Sequence, residues 1–237
     1  MDPLITLRHS LVIGFDGISD LGTFQKVLAA TADLSGVGAY KVDFLLGLRY
    51  GLTEVVRCAL EHTSKPLIYE HHTAGNSLLR DAESFSSQIA EAGFFAVTLF
   101  PTAGSLAQRQ WTFACQKKSL HVLTGSYFAD LQEGGHPDHS HHNPSYCLPF
   151  TQAVGLGLRE FIIPGHHPGL VGRLRHQLAS IHPVFYVNRF HQVASFPSTL
   201  PQELHGLSWH VLVDSALTSN SDPRHVAEEY IRRLPDP

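Results

Sequence analysis

The sequence predicts an α/β protein built as a single (β/α)8 TIM barrel across residues 1–237. Short apolar runs alternate with helical patterns along most of the chain, the signature of βα units and a parallel sheet. Eight such runs are separated by near-regular crossovers, which favours closure into a barrel over the rival doubly wound open sheet. The length of 237 residues suits one such domain, since these barrels run from about 200 residues upward.

The first strand is expected at Leu11–Phe15, with a helix over Thr23–Ala32. The second, Ala39–Phe44, leads to a helix over Tyr50–Glu61. Pro66–His71 and Asp81–Ala92 form the third unit, and Ala96–Phe100 and Leu106–Lys117 the fourth. His121–Thr124 supplies the fifth strand, but the next helical pattern waits until Leu148–Gly155. Between them Gln132–Tyr146, QEGGHPDHSHHNPSY, is polar and rich in Gly, Pro and His. It reads as an unusually long loop on the face where βα loops build active sites. The sixth unit is Phe161–Pro164 with Leu170–Leu178. Val184–Val187 is the seventh strand, followed by a segment, Pro197–Leu207, that holds at most a short helix. His210–Val213 and Pro223–Arg233 complete the eighth unit. No linker or repeat divides the chain.

Composition narrows the function classes. A net charge of -4 with 17 Lys and Arg argues against a nucleic-acid binder, which would carry a basic face. The hydrophobic share of 43% is that of an ordinary globular protein, while the 17 His equal all Lys and Arg together. Cys58, Cys115 and Cys147 form no CxxC pair, so neither a thiolate zinc site nor a disulfide framework is expected. That usage fits a reducing compartment. The N-terminus has no basic segment followed by an apolar stretch, and no run approaches the roughly 18 apolar residues of a membrane span. The expectation is a soluble, cytoplasmic protein with a small-molecule substrate and neither nucleic-acid nor membrane partners.

Polar residues at the C-terminal ends of barrel strands need a reason. Asp16 follows the first strand in GFDG, Lys41 and Asp43 lie in AYKVDF, and Glu70 and His72 end the third strand in IYEHHTAGN. Residues two apart on a strand face the same way, so each pair can point to the barrel mouth. A lysine beside a glutamate in a partly dry pocket keeps its partner ionised, and Asp16 can orient that lysine. His72 titrates near neutral pH and is the natural proton donor or acceptor. The competing reading is an ion-pair network that merely satisfies itself.

The other histidines carry less. His136, His139, His141 and His142 suit zinc or nickel by ligand type, but their spacing is that of a solvated loop. His166 and His167, after the sixth strand in IIPGHHPG, are better placed to face a substrate.

In order and spacing these motifs resemble the orotidine 5'-monophosphate decarboxylase superfamily over nearly the whole chain. GFDG is similar to the family's first-strand acid, and YKVDFLLGLRYGL to its second-strand lysine and following helix. KPLIYEHHTAGN stands where the family carries Lys-Pro, then Asp-x-Lys-x-x-Asp with a nearby Asn. GLREFIIPGHHPGLVGRLR resembles the sixth unit, and HVLVDSALTSNSDPRHVAEEYIRRL the last strand and helix. The departures fall on the chemistry. Glu70 retains the acid, His72 replaces the carbanion-protonating lysine, and Gly75 erases the second acid, which in the family reaches the neighbouring subunit. Where the family grips phosphate, this chain reads Asn188-Arg189-Phe190-His191-Gln192 and Asp214-Ser215. An aspartate there repels a phosphate dianion at close range, with Arg189 as the nearby compensation.

The resemblance implies a decarboxylase-like lyase acting on a small polar, nucleotide- or sugar-like substrate through carbanion formation and protonation. Asp16, Lys41, Glu70 and His72 are its expected catalytic residues. Asp43, Asn76, Thr124, His166, Arg189 and Gln192 are the expected substrate contacts. No cofactor or metal ligand is assigned, and a homodimer is implied by the resemblance alone. Two alternatives stand beside this reading. One is a metal-assisted aldolase or decarboxylase, with Asp43 and Glu70 as ligands of a divalent ion. The other is a catalytically silent binding paralogue.

Overall fold

The computed structural model describes residues 2–71, 74–76, 78–101, 103–125, 148–164, 174, 178, 181–188 and 204–235. Eight parallel strands close into a barrel in sequence order: β1 (His9–Gly14), β2 (Val37–Asp43), β3 (Leu67–Glu70), β4 (Ala96–Leu99), β5 (His121–Gly125), β6 (Glu160–Pro164), β7 (Val184–Asn188) and β8 (Ser208–Val213). Closure is made by β1 and β8, with Ile13 against Val213. Around the barrel run α1 (Leu21–Thr31), α2 (Phe44–Tyr50), α3 (Leu52–Leu60), α4 (Asp81–Ala92), α5 (Ser105–Lys117), α6 (Leu148–Gly155), α7 (Ser215–Thr218) and α8 (Pro223–Ile231).

Two apolar layers follow from strand alternation. Val12, Ala39, Ile68, Ala96, Leu123, Ile162, Tyr186 and Leu212 fill the barrel interior. Their neighbours on the same strands, such as Leu11, Tyr40, Val97, Val122, Phe161 and Val211, face outward into the cluster shared with the helices. Branched and aromatic side chains at these sites suit a sheet buried on both faces.

Local signals set the helix ends. Asp20 caps α1 by accepting from the Thr23 N–H at 2.7 Å. Asp222 accepts from the His225 N–H at 3.0 Å, and Pro223 opens α8 where a missing N–H costs nothing. The expected helix over Tyr50–Glu61 is corrected to two. Asp43 caps a separate α2, and Gly51, at φ 84°, breaks the chain before α3 begins at Leu52. Residues 44–50 follow β2 without a loop, and α2 begins at Phe44, where the expected strand ends.

The N-terminal end of the barrel is closed by a buried polar network. Glu160 accepts from the Leu4 N–H and the Tyr186 hydroxyl, both at 3.2 Å, and pairs with His121 at 3.2 Å. Deeper inside, Ser10 Oγ lies 2.8 Å from His210 Nδ1. Burial first, and His9 second, lower the His210 pKa to about 3, so this imidazole is neutral at physiological pH. Among the described residues Cys58 and Cys115 are buried free thiols. No described helix is long and apolar enough to cross a membrane.

Candidate active site

The C-terminal mouth gathers side chains from β1, β2, β3 and β8. Lys41 lies on the interior face of β2, two residues beyond Ala39, and is 2% exposed. Its Nζ donates to both carboxylate oxygens of Asp16 at 2.7 Å. On its other side it forms an ion pair with Glu70 of β3, which is buried as deeply. The expectation that Asp16, Lys41 and Glu70 meet at the strand ends agrees with this geometry. A buried ammonium needs such partners, because desolvation alone drives it toward the neutral amine.

Asp214 is the carboxyl whose place in the mouth the sequence does not reveal. It follows β8, is 6% exposed, and accepts from the Ser215 N–H at 2.5 Å. Burial pushes its pKa up, and the Asp16 carboxylate pushes it further; Ser215 and Lys41 pull the other way. Gly14 makes room for this meeting. A Cβ at Gly14 would lie 3.2 Å from Asp214 Cβ and 3.3 Å from Lys41 Cε. Asp214 and Lys41 therefore converge over a bare backbone position in β1.

Thr98 is a second residue missed in sequence. It alternates with Ala96 and Phe100 on the interior face of β4 and is fully buried. The register that sets Tyr69 against Val97 brings it beside Glu70. Among the described residues its Oγ1 has no hydrogen-bond partner. The polar residue in the apolar run AVTLF was the available signal.

Two expected substrate contacts have other engagements, and a third faces away from the barrel interior. Asp43 accepts from the Phe44 N–H at 2.6 Å and from the Gly17 N–H at 3.2 Å, so one oxygen caps α2 and the other ties the loop after β1 to β2. Asn76 donates to the Phe100 carbonyl at 2.6 Å and accepts from the Ala103 N–H at 3.0 Å, pinning the loop after β3 to the loop after β4. Thr124 is corrected outright: Leu123 faces the interior, so alternation turns Thr124 with Val122 toward the helices. His72, His166, Arg189 and Gln192 lie outside the described residues. So do His136, His139, His141, His142 and His167.

Next to Glu70, His71 stacks on Phe44 with ring centroids 5.2 Å apart. Gly75 takes φ 91°, a backbone conformation that residues other than glycine rarely adopt. Among the described residues no cluster of three His, Cys, Asp or Glu is arranged to hold a metal ion. The metal alternative also needs Asp43 and Glu70, and these are already engaged by backbone N–H groups and by Lys41. A cavity of about 450 Å³, lined by His121, Arg159 and Glu160, lies at the opposite end of the barrel from these residues.

No family model matches the sequence, and no curated protein matches it significantly. The fold has close counterparts among solved structures. Orotidine 5'-monophosphate decarboxylase from Methanocaldococcus jannaschii aligns with a TM-score of 0.70 at 16% identity, over 94% of this chain and 97% of that one. The orotidine 5'-phosphate decarboxylase from Pyrococcus horikoshii OT3 gives 0.72 at 15% identity, over 94% and 98%. KGPDC from Streptococcus mutans gives 0.67 at 10% identity, over 94% and 97%. The chain thus has the (β/α)8 barrel of the orotidine 5'-monophosphate decarboxylase-like proteins. At these identities the likeness establishes the fold.

Proposed function

We propose that the protein is a decarboxylase-like lyase that acts on a small polar substrate through formation and protonation of a carbanion. The observation that carries this reading is Lys41 held between Asp16 and Glu70 at the barrel mouth, at most 3% and 4% of the Lys41 and Glu70 side chains being exposed. A substrate carboxylate placed beside Glu70 meets like charge at low dielectric, and its departure as neutral CO2 relieves that repulsion. The ammonium of Lys41, fixed in advance by Asp16, offsets negative charge as it develops on the carbon left behind. His72 is the residue the sequence nominates to protonate that carbon.

The barrel shared with orotidine 5'-monophosphate decarboxylases supports the reaction class, while the aspartate after β8 speaks against a phosphate dianion in that place. The test is a panel of small carboxylated metabolites, with CO2 release and product followed by mass spectrometry for wild type and Lys41→Ala. At least one substrate is expected to lose CO2 with wild type, and more than roughly a thousandfold slower with the variant. No CO2 release from any of them, or equal rates, overturns the proposal and leaves a binding protein.

A further inference from the structure

Lys41 Nζ donates to both carboxylate oxygens of Asp16 and forms an ion pair with Glu70. Among the described residues Asp214 takes no hydrogen bond from it. That carboxyl is buried, its Cβ borders the same bare position over Gly14 as Lys41 Cε, and its donor is the N–H of Ser215 at 2.5 Å. Among the described residues the charged groups that act on it are Asp16 and Lys41, and Lys41 is shared with Asp16 and Glu70. A buried carboxyl that lies beside another carboxylate and takes no hydrogen bond from the ammonium has its protonated form favoured.

We infer that Asp214 is a proton-holding residue of the mouth, a second acid beside His72 for the carbanion chemistry, and this role rests on the decarboxylase reading. In the step itself CO2 leaves with cleavage of its bond to carbon, and the electron pair stays on that carbon. The Asp214 O–H bond then breaks as a new C–H bond forms. Asp214 becomes a carboxylate and regains its proton from water. Asp16 favours the protonated form beforehand by repelling the charged one, in the manner of two carboxylates sharing a site.

The experiment is a pH titration of the whole protein, labelled with 13C at aspartate carboxyls, followed by NMR without any substrate. Wild type is expected to show one aspartate resonance titrating above the ordinary range near about 3.9. That resonance is absent in Asp214→Asn and moves to lower pH in Asp16→Asn. If Asp214→Asn does not fold, the Asp16→Asn shift alone decides. A resonance assigned to Asp214 that titrates in the ordinary range, or one unmoved by Asp16→Asn, overturns the inference. Because no substrate is present, failure of decarboxylation in the metabolite panel leaves this result standing, and failure here leaves the panel standing.

Discussion

Lys41 Nζ sits 2.7 Å from each carboxylate oxygen of Asp16, a two-pronged contact that fixes the ammonium at the end of β2 while Glu70 holds it from β3. Both Lys41 and Glu70 are buried, so the arrangement is costly to break from one side. Lys41→Met removes the counter-ion from the buried Glu70 and is expected to cost about 3–5 kcal/mol of stability. Adding Glu70→Gln removes that charge and should recover most of the loss. Urea denaturation of the single and double variants checks both statements.

Gly14 and Asp214 define a steric limit. Gly14→Ala brings a Cβ to 3.2 Å from Asp214 Cβ and 3.3 Å from Lys41 Cε, closer than ordinary contact. The methyl displaces side chains rather than backbone, so a stability loss of about 1–3 kcal/mol is expected. Turnover should fall more steeply than stability, because the displaced groups are those of the site. Parallel measurement of unfolding free energy and kcat separates the two effects.

Inside the barrel Thr98 carries a hydroxyl with no partner among the described residues. Thr98→Val keeps the shape and removes the unsatisfied group, so stability should be unchanged or rise by up to about 1 kcal/mol. A substantial loss in urea denaturation would mean that the hydroxyl has a partner.

His210 makes the fold sensitive to acid. Its pKa is lowered to about 3 in the fold from an ordinary value of 6.5, so between these values the unfolded chain binds the extra proton. Stability is therefore fully present above 6.5 and is lost as pH falls through the window, by at most about 1.4 kcal/mol per pH unit from this group. The slope should flatten in His210→Gln, read from unfolding midpoints between about pH 4 and pH 7. Asp214 acts in the opposite sense: its raised pKa makes the ionised form unfavourable, so Asp214→Asn should raise Tm at neutral pH.

Sequence periodicity suffices for the barrel because each strand is an apolar run bounded by turns; Asp16, Lys41 and Glu70 stand out as polar residues at strand ends, with two-residue spacing setting Lys41 on one face with Asp43 and Glu70 with His72. Thr124 ends the expected fifth strand, but the phase of that strand is not set by its polar residue. Leu123 packs inward, and that single step turns Thr124 to the helices. Asp43 and Asn76, expected as substrate contacts, hold backbone groups, as short polar side chains at loop ends commonly do. Asp214 was visible only as a charge in the wrong place for phosphate. Its approach to Lys41 depends on barrel closure between β1 and β8, which no local pattern reports.

The most direct measurement is decarboxylation in deuterium oxide of whichever panel substrate turns over, with the product analysed by NMR and mass spectrometry. A carbanion protonated from exchangeable groups of the site predicts one deuterium on the carbon that lost CO2, at a rate that collapses in Lys41→Met. Product without deuterium at that carbon, or formed equally fast by Lys41→Met, would contradict the account.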